Sequence, residues 1–176
     1  DFGDFGRLTA TSGKLTVAGE MTAGPRGASL EIDRAGQVWI AGYEDNAPLD
    51  IDVAGGRFAN TGAMSGGLDV AVSGDGQAIL ASAGGRLELD AQDSLTLVGG
   101  KAKVGFDGNT AGTATLVLGD AAQLKFVADA TGLSKIAEFR SGAFGDAPAV
   151  RSGVTLDGRL QIDLTQVGTL DARQDT

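Results

Sequence analysis

The chain has no cysteine and no histidine, and its 176 residues include only 3 Pro, one Trp and one Tyr beside seven Phe. Each absence excludes something. Without Cys or His there is no thiol nucleophile, no Ser-His-Asp triad, no histidine general base and no zinc site of the usual nitrogen and sulfur kind. No disulfide can form, so stability has to come from packing and backbone pairing. Positive charge is also scarce, with 14 Lys and Arg against 23 Asp and Glu and a net charge of -9. That balance argues against a nucleic-acid partner, which requires a basic face. No apolar run approaches the roughly 18 residues of a membrane-spanning helix, so no transmembrane segment is expected. The first residue is Asp1, and no signal-peptide pattern follows it, which reads as a processed or excerpted chain. The lack of cysteine points to an extracellular or cell-surface setting.

What is present is glycine, 29 residues of it, and 42% hydrophobic residues, enough for one cored domain over residues 1–176. The dominant pattern is period-2 alternation in short pieces, such as Leu49-Asp50-Ile51-Asp52-Val53, Leu68-Asp69-Val70-Ala71-Val72 and Leu160-Gln161-Ile162-Asp163-Leu164. Each piece has one apolar face, the mark of a half-buried strand. Strand starts fall at Leu68, Gln77, Arg86, Ser94, Lys103, Thr115 and Gln123, and turn words such as Gly74-Asp75-Gly76 and Gly99-Gly100 separate them. The inward positions are expected to be Leu87, Leu89, Leu95, Leu97, Leu116, Leu118, Leu124, Phe126, Leu160, Ile162 and Leu164. The segment Gly132–Arg140 suggests one helical turn, since Leu133, Ile136 and Phe139 recur every third residue. Stretches 43–48, 58–67 and 141–152 break the rhythm and read as projecting loops.

The fold class is therefore all-β. A parallel β-solenoid, or β-helix, of short Gly-rich coils tolerates small residues in a narrow core, with roughly 17–26 residues per coil. A β-sandwich is the alternative, although it usually buries more large aromatics.

Residues Thr113–Ile136 (TATLVLGDAAQLKFVADATGLSKI) and Gly153–Gly168 (GVTLDGRLQIDLTQVG) resemble the repeat regions of bacterial surface proteins of the autotransporter-passenger type. The resemblance is best over 113–168 and implies a β-helical stalk displayed outside the cell, used for adhesion or as a spacer. It carries no catalytic residues to transfer.

Carboxylates are the main candidates for acid–base chemistry. Asp50, Asp52, Asp69, Glu88 and Asp90 fall on the polar faces of strands, where paired carboxylates from neighbouring coils can cleave a glycosidic bond. The plainer expectation is that they keep an open face soluble and titrate as ordinary surface acids. A calcium β-roll repeat fails at Gly99–Gly108, which lacks the required Gly and Asp and is not repeated, so calcium is expected only incidentally at an Asp-Gly turn. The Gly-rich stretches 24–27 and 62–67 lack a phosphate-loop lysine, and the opening DFGDFG matches a kinase triplet by letter alone. Trp39 and Tyr43 flank Gly42 and are the candidates for stacking on a sugar ring; Trp39 faces opposite to Val38 and Ile40, and the pattern leaves open which face is the core. The reading is a non-catalytic structural or adhesive segment with no catalytic, cofactor-binding or metal-ligating residue. Its expected partners are a polysaccharide, a host or cell surface, or copies of itself in an oligomer or fibre. The alternatives are a carbohydrate-binding or carbohydrate-active β-helix module and a self-assembling fibre subunit.

Overall fold

A computed structural model describes residues 6–44, 47–81, 86–90, 93–107, 115–119, 121–140, 143–146, 153–156 and 159–165. The chain winds as a parallel β-solenoid. An opening pair of strands, β1 (Gly6–Ala10) and β2 (Lys14–Val17), leads into four turns of three strands each. These are β3 (Ala28–Asp33), β4 (Gln37–Ile40) and β5 (Tyr43–Glu44); β6 (Leu49–Ala54), β7 (Arg57–Asn60) and β8 (Ala63–Ser65); β9 (Leu68–Ser73), β10 (Gln77–Ala81) and β11 (Arg86–Leu89); and β12 (Ser94–Val98), β13 (Lys103–Asp107) and β14 (Thr115–Leu118). A longer turn follows, with β15 (Gln123–Val127), β16 (Lys135–Arg140), β17 (Ala143–Asp146) and β18 (Gly153–Leu156), and then β19 (Arg159–Asp163).

Three sheets result. The first runs β1-β3-β6-β9-β12-β15-β19, the second β17-β16-β13-β10-β7-β4-β2 and the third β18-β14-β11-β8-β5. Every pairing between these strands is parallel except β16 with β17. Parallel neighbours need a crossover between them, and here the other two sides of each coil supply it.

Alternation fixes the register. In β6 the sequence LDIDVA buries Leu49, Ile51 and Val53 and exposes Asp50, Asp52 and Ala54. A slip of one residue would exchange those faces, so each new strand settles with apolar over apolar. One inward column of the first sheet runs Leu8, Leu30, Ile51, Val70, Leu95, Leu124 and Leu160. The second sheet adds Val38, Phe58 and Ala78, and the third adds Tyr43, Met64 and Leu87. Together they form one continuous buried core.

The corner between the first and second sheets is built on glycine. The N–H groups of Arg57, Gln77 and Lys103 donate to the carbonyls of Gly36, Gly56 and Gly76 one turn back, at 2.9, 3.0 and 2.9 Å. A Cβ at Gly36 or Gly76 would overlap the carbonyl oxygen of Ala10 or Val53, so the turns stack this closely only without one.

Paired positions recur after 22 residues from Gly6 to Ala28, 21 from Ala28 to Leu49 and 19 from Leu49 to Leu68. They recur after 29 from Ser94 to Gln123 and 36 from Gln123 to Arg159, beyond the coil length read from the sequence. The excess enters between strands, and the strands of the first sheet keep their length.

Several expectations are corrected. Residues Lys135–Arg140 are strand, not helix, because β13 offers a ready ladder: Val104 pairs with Ile136 and Gly105 with Ala137. A short isolated helical turn has no comparable partner, and tertiary pairing overrides its propensity. The stretches read as loops at 43–48, 58–67 and 141–152 contain β5, most of β7, β8 and β17. These strands are short, so alternation is weak in them, yet neighbouring turns hold the backbones of β5, β7 and β8, and β17 pairs antiparallel with β16 of its own turn.

Leu87, Leu89, Leu95, Leu97 and Leu124 are buried as expected, and Phe126 is half-buried against the same core. The side chains of Leu116 and Leu118 lie outside the described residues. Leu160, Ile162 and Leu164 are 61%, 57% and 40% exposed. The register of β19 is the expected one, but among the described residues β19 is the last strand of its sheet and pairs only with β15.

Candidate functional site

The outward face of the first sheet carries Glu31, Asp50, Asp52 and Asp69 in columns. One column runs Arg7, Ser29, Asp50, Asp69, Ser94, Gln123 and Arg159; its neighbour runs Thr9, Glu31, Asp52, Ala71, Thr96, Lys125 and Gln161. Successive rungs lie about 4.8 Å apart, and residues two apart on one strand about 6.6 Å. The centre of this face forms an open groove of about 500 Å³, lined by Arg7, Glu31, Asp50, Asp52, Asp69 and Ser94 among others.

Parallel stacking brings like charges onto adjacent rungs. Partial burial, and then the Asp69 carboxylate on the next turn, raise Asp50 above the ordinary carboxylate range. Asp52 is raised by burial and then by Glu31 and Asp33. Sequence alone treats these as ordinary surface acids, because it does not show which carboxylates face each other between turns. Neighbouring groups compensate the rest of the cluster. Arg7 forms an ion pair with Glu31 at one end, and the Ser94 hydroxyl donates to Asp69 at 2.6 Å. Further along, Lys125 stands 3.6 Å from Asp163. Among the described residues, Asp50 and Asp52 form no ion pair, and no group of three or more Asp or Glu is placed to hold a metal ion.

Carboxylates on paired rungs fall near the separations that glycoside-cleaving pairs use, roughly 5–10 Å. The floor beneath them, however, is the outside of a sheet, open to water. Glu88 is half-buried and Asp90 exposed, on or beside β11 of the third sheet and away from this groove.

The two aromatic candidates are not brought together. Val38 and Ile40 are buried, which turns Trp39 outward on the second sheet. There the indole packs against Ala59 and Ile79 in a small outer cluster, and the Lys14 ammonium sits 4.2 Å from the ring centroid. Tyr43 points the other way. Its ring is fully buried, and its hydroxyl donates to the Ala47 carbonyl at 2.5 Å.

Asp93 is a buried polar residue at a corner of the first sheet. At two corners of the first sheet a main-chain carbonyl of the next turn accepts the strand's first N–H: Pro48 from Ala28 at 2.9 Å, and Gly67 from Leu49 at 2.7 Å. At the next corner the Asp93 carboxylate takes that place, accepting from the N–H groups of Leu68 and Asp90 at 2.9 Å each. Burial raises its pKa, and those bonds pull it partly back. The one sequence signal is an Asp immediately before a strand, a pattern too common to single it out.

Among the described residues, no helix is long and apolar enough to cross a membrane. Compared with known proteins, the chain matches no family model, no curated protein and no solved structure.

Proposed function

We propose that the chain is a non-catalytic structural or adhesive segment of a secreted or cell-surface bacterial protein, a stalk whose outer faces do its work. One observation carries this reading. A continuous apolar cluster runs up the interior of the stack, and Glu31, Asp50, Asp52 and Asp69 lie on an open outer face instead of converging in an enclosed cavity. A stalk needs that division: a dry core for rigidity and a solvated exterior for contact. The passenger-type resemblance over 113–168, the net charge of -9 and the absence of cysteine support a place outside the cell.

A second reading rests on Asp50 and Asp69. Two paired-rung carboxylates in a groove, one of them raised in pKa, are the parts of a carbohydrate-active β-helix. The same experiment separates the two. The purified chain is incubated with a panel of acidic and neutral polysaccharides, with and without calcium, and assayed for reducing ends and unsaturated products. The stalk reading expects no product under any condition. Turnover that disappears in Asp50→Asn or Asp69→Asn would replace it with the enzyme reading.

A further inference from the structure

Strand β19 combines a backbone edge that no strand covers among the described residues, apolar side chains left in solvent, and a sequence that complements itself. Arg159 N–H donates to the Ala122 carbonyl and Ala128 N–H to the Asp163 carbonyl, each at 2.8 Å. Main-chain groups alternate sides along a strand, so residues 159, 161 and 163 address β15. The N–H and C=O groups of Leu160 and Ile162 therefore point to the opposite edge, where no strand lies among the described residues. Leu160 and Ile162 stand in register with Leu124 and Phe126, yet are mostly exposed.

Placed antiparallel to itself about Gln161, the segment Arg159-Leu160-Gln161-Ile162-Asp163 matches at every position. Arg159 of each copy faces Asp163 of the other, Leu160 faces Ile162 on the core side, and Gln161 faces Gln161. The main-chain groups of Leu160 and Ile162 that point away from β15 fall opposite each other, as hydrogen-bonded antiparallel pairs require.

We propose that β19 is a self-recognition edge, through which two copies of the chain join tail to tail as a two-fold antiparallel pair. The two-fold axis is normal to the sheet, so both inward faces stay on the same side and the two apolar interiors meet. Asp163 also lies 3.6 Å from Lys125 in its own chain, and a carboxylate has acceptor sites for both cations. A head-to-tail stack of β19 on β1 is less favourable, because continuing the register would put Arg159 in the column of Arg7.

The test uses the 176-residue chain in a sedimentation-velocity concentration series, where the proposal expects the mass to double as concentration rises. Arg159→Asp should shift the chain towards monomer with its β-type circular dichroism unchanged, and Arg159→Asp/Asp163→Arg should restore the dimer. Gln161→Cys gives a second readout in a chain with no native cysteine. Position 161 would be a non-hydrogen-bonded pair with Cα atoms about 4.5 Å apart, within disulfide reach. Air oxidation should therefore yield a disulfide-linked dimer, while Asp75→Cys should not. A chain monomeric throughout the series would overturn the proposal. So would an assembly that ignores Arg159→Asp and leaves Gln161→Cys unlinked, the outcome expected of head-to-tail stacking.

Discussion

At the residue scale, the fold rests on which face each side chain takes. Leu97 is fully buried in the column Ile32, Val53, Val72, Leu97 and Phe126, so its removal leaves a cavity with rungs on both sides. Leu97→Ala should cost about 2–5 kcal/mol in urea unfolding, the range for large-to-small changes in a packed core. Asp75→Ala, at an exposed turn, should stay within about 0.5 kcal/mol of the parent. Equal effects from the two would mean that the inward and outward faces have been exchanged. The face of Trp39 follows from the same rule. The alternation of VWI requires one face to be core but does not say which, and the neighbouring rungs decide it: Leu15 and Phe58 stack with Val38, and Thr16 and Ala59 with Trp39.

At the element scale, strands with sharp alternation are legible and those without it are not. The starts expected at Leu68, Gln77, Arg86, Ser94, Lys103, Thr115 and Gln123 coincide with β9 to β15, because each opens a run of apolar residues at every second position. In β8, Ala63-Met64-Ser65, one inward methionine is the whole signal, and β5 has only Tyr43. Such strands persist because the turns on either side supply their ladder, a reason that lies outside their own residues. The acidic groove was legible as residues but not as a site. Asp50, Asp52 and Asp69 carry their alternation openly, yet their mutual repulsion depends on which residue stacks on which, and that follows from coil length. Their titration gives an element-scale expectation. Asp50, Asp52 and Asp93 have raised pKa values in the folded chain, so the stability they contribute is full below the unfolded carboxyl pKa, about 3.9, and is lost as pH rises through their folded values. Asp129 and Asp163 are lowered, first by the Thr131 and Thr165 side-chain hydrogen bonds, so their contribution is present above that unfolded pKa and lost as pH falls through their folded values. The urea midpoint should therefore rise as pH is lowered from neutral into the carboxylate range, then fall once acidification protonates Asp129 and Asp163. Asp50→Asn/Asp52→Asn should flatten the first limb. A midpoint that falls steadily from pH 7 downward would contradict this assignment of the carboxylates.

At the scale of the whole molecule, length along the axis follows from coil stacking, and each added turn extends both the core and the outer columns by one rung. That additivity is what a spacer requires, and it explains how the later turns take up 29 and 36 residues without breaking the first sheet. Turn length can vary as long as each turn returns a strand in register. Core, columns and length all depend on this register, and a distance ladder tests it directly. With no native cysteine, spin labels can be placed in pairs on the outward column at Arg7 and Asp50, Arg7 and Ser94, or Arg7 and Gln123, with labelled chain diluted in unlabelled chain. These pairs span two, four and five rungs, and at about 4.8 Å per rung the backbone separations should be about 10, 19 and 24 Å. Distances that lengthen in that order by those steps are the result expected of parallel in-register coils. Distances that fail to grow with rung number, as strands shared between two facing antiparallel sheets would give, would contradict it.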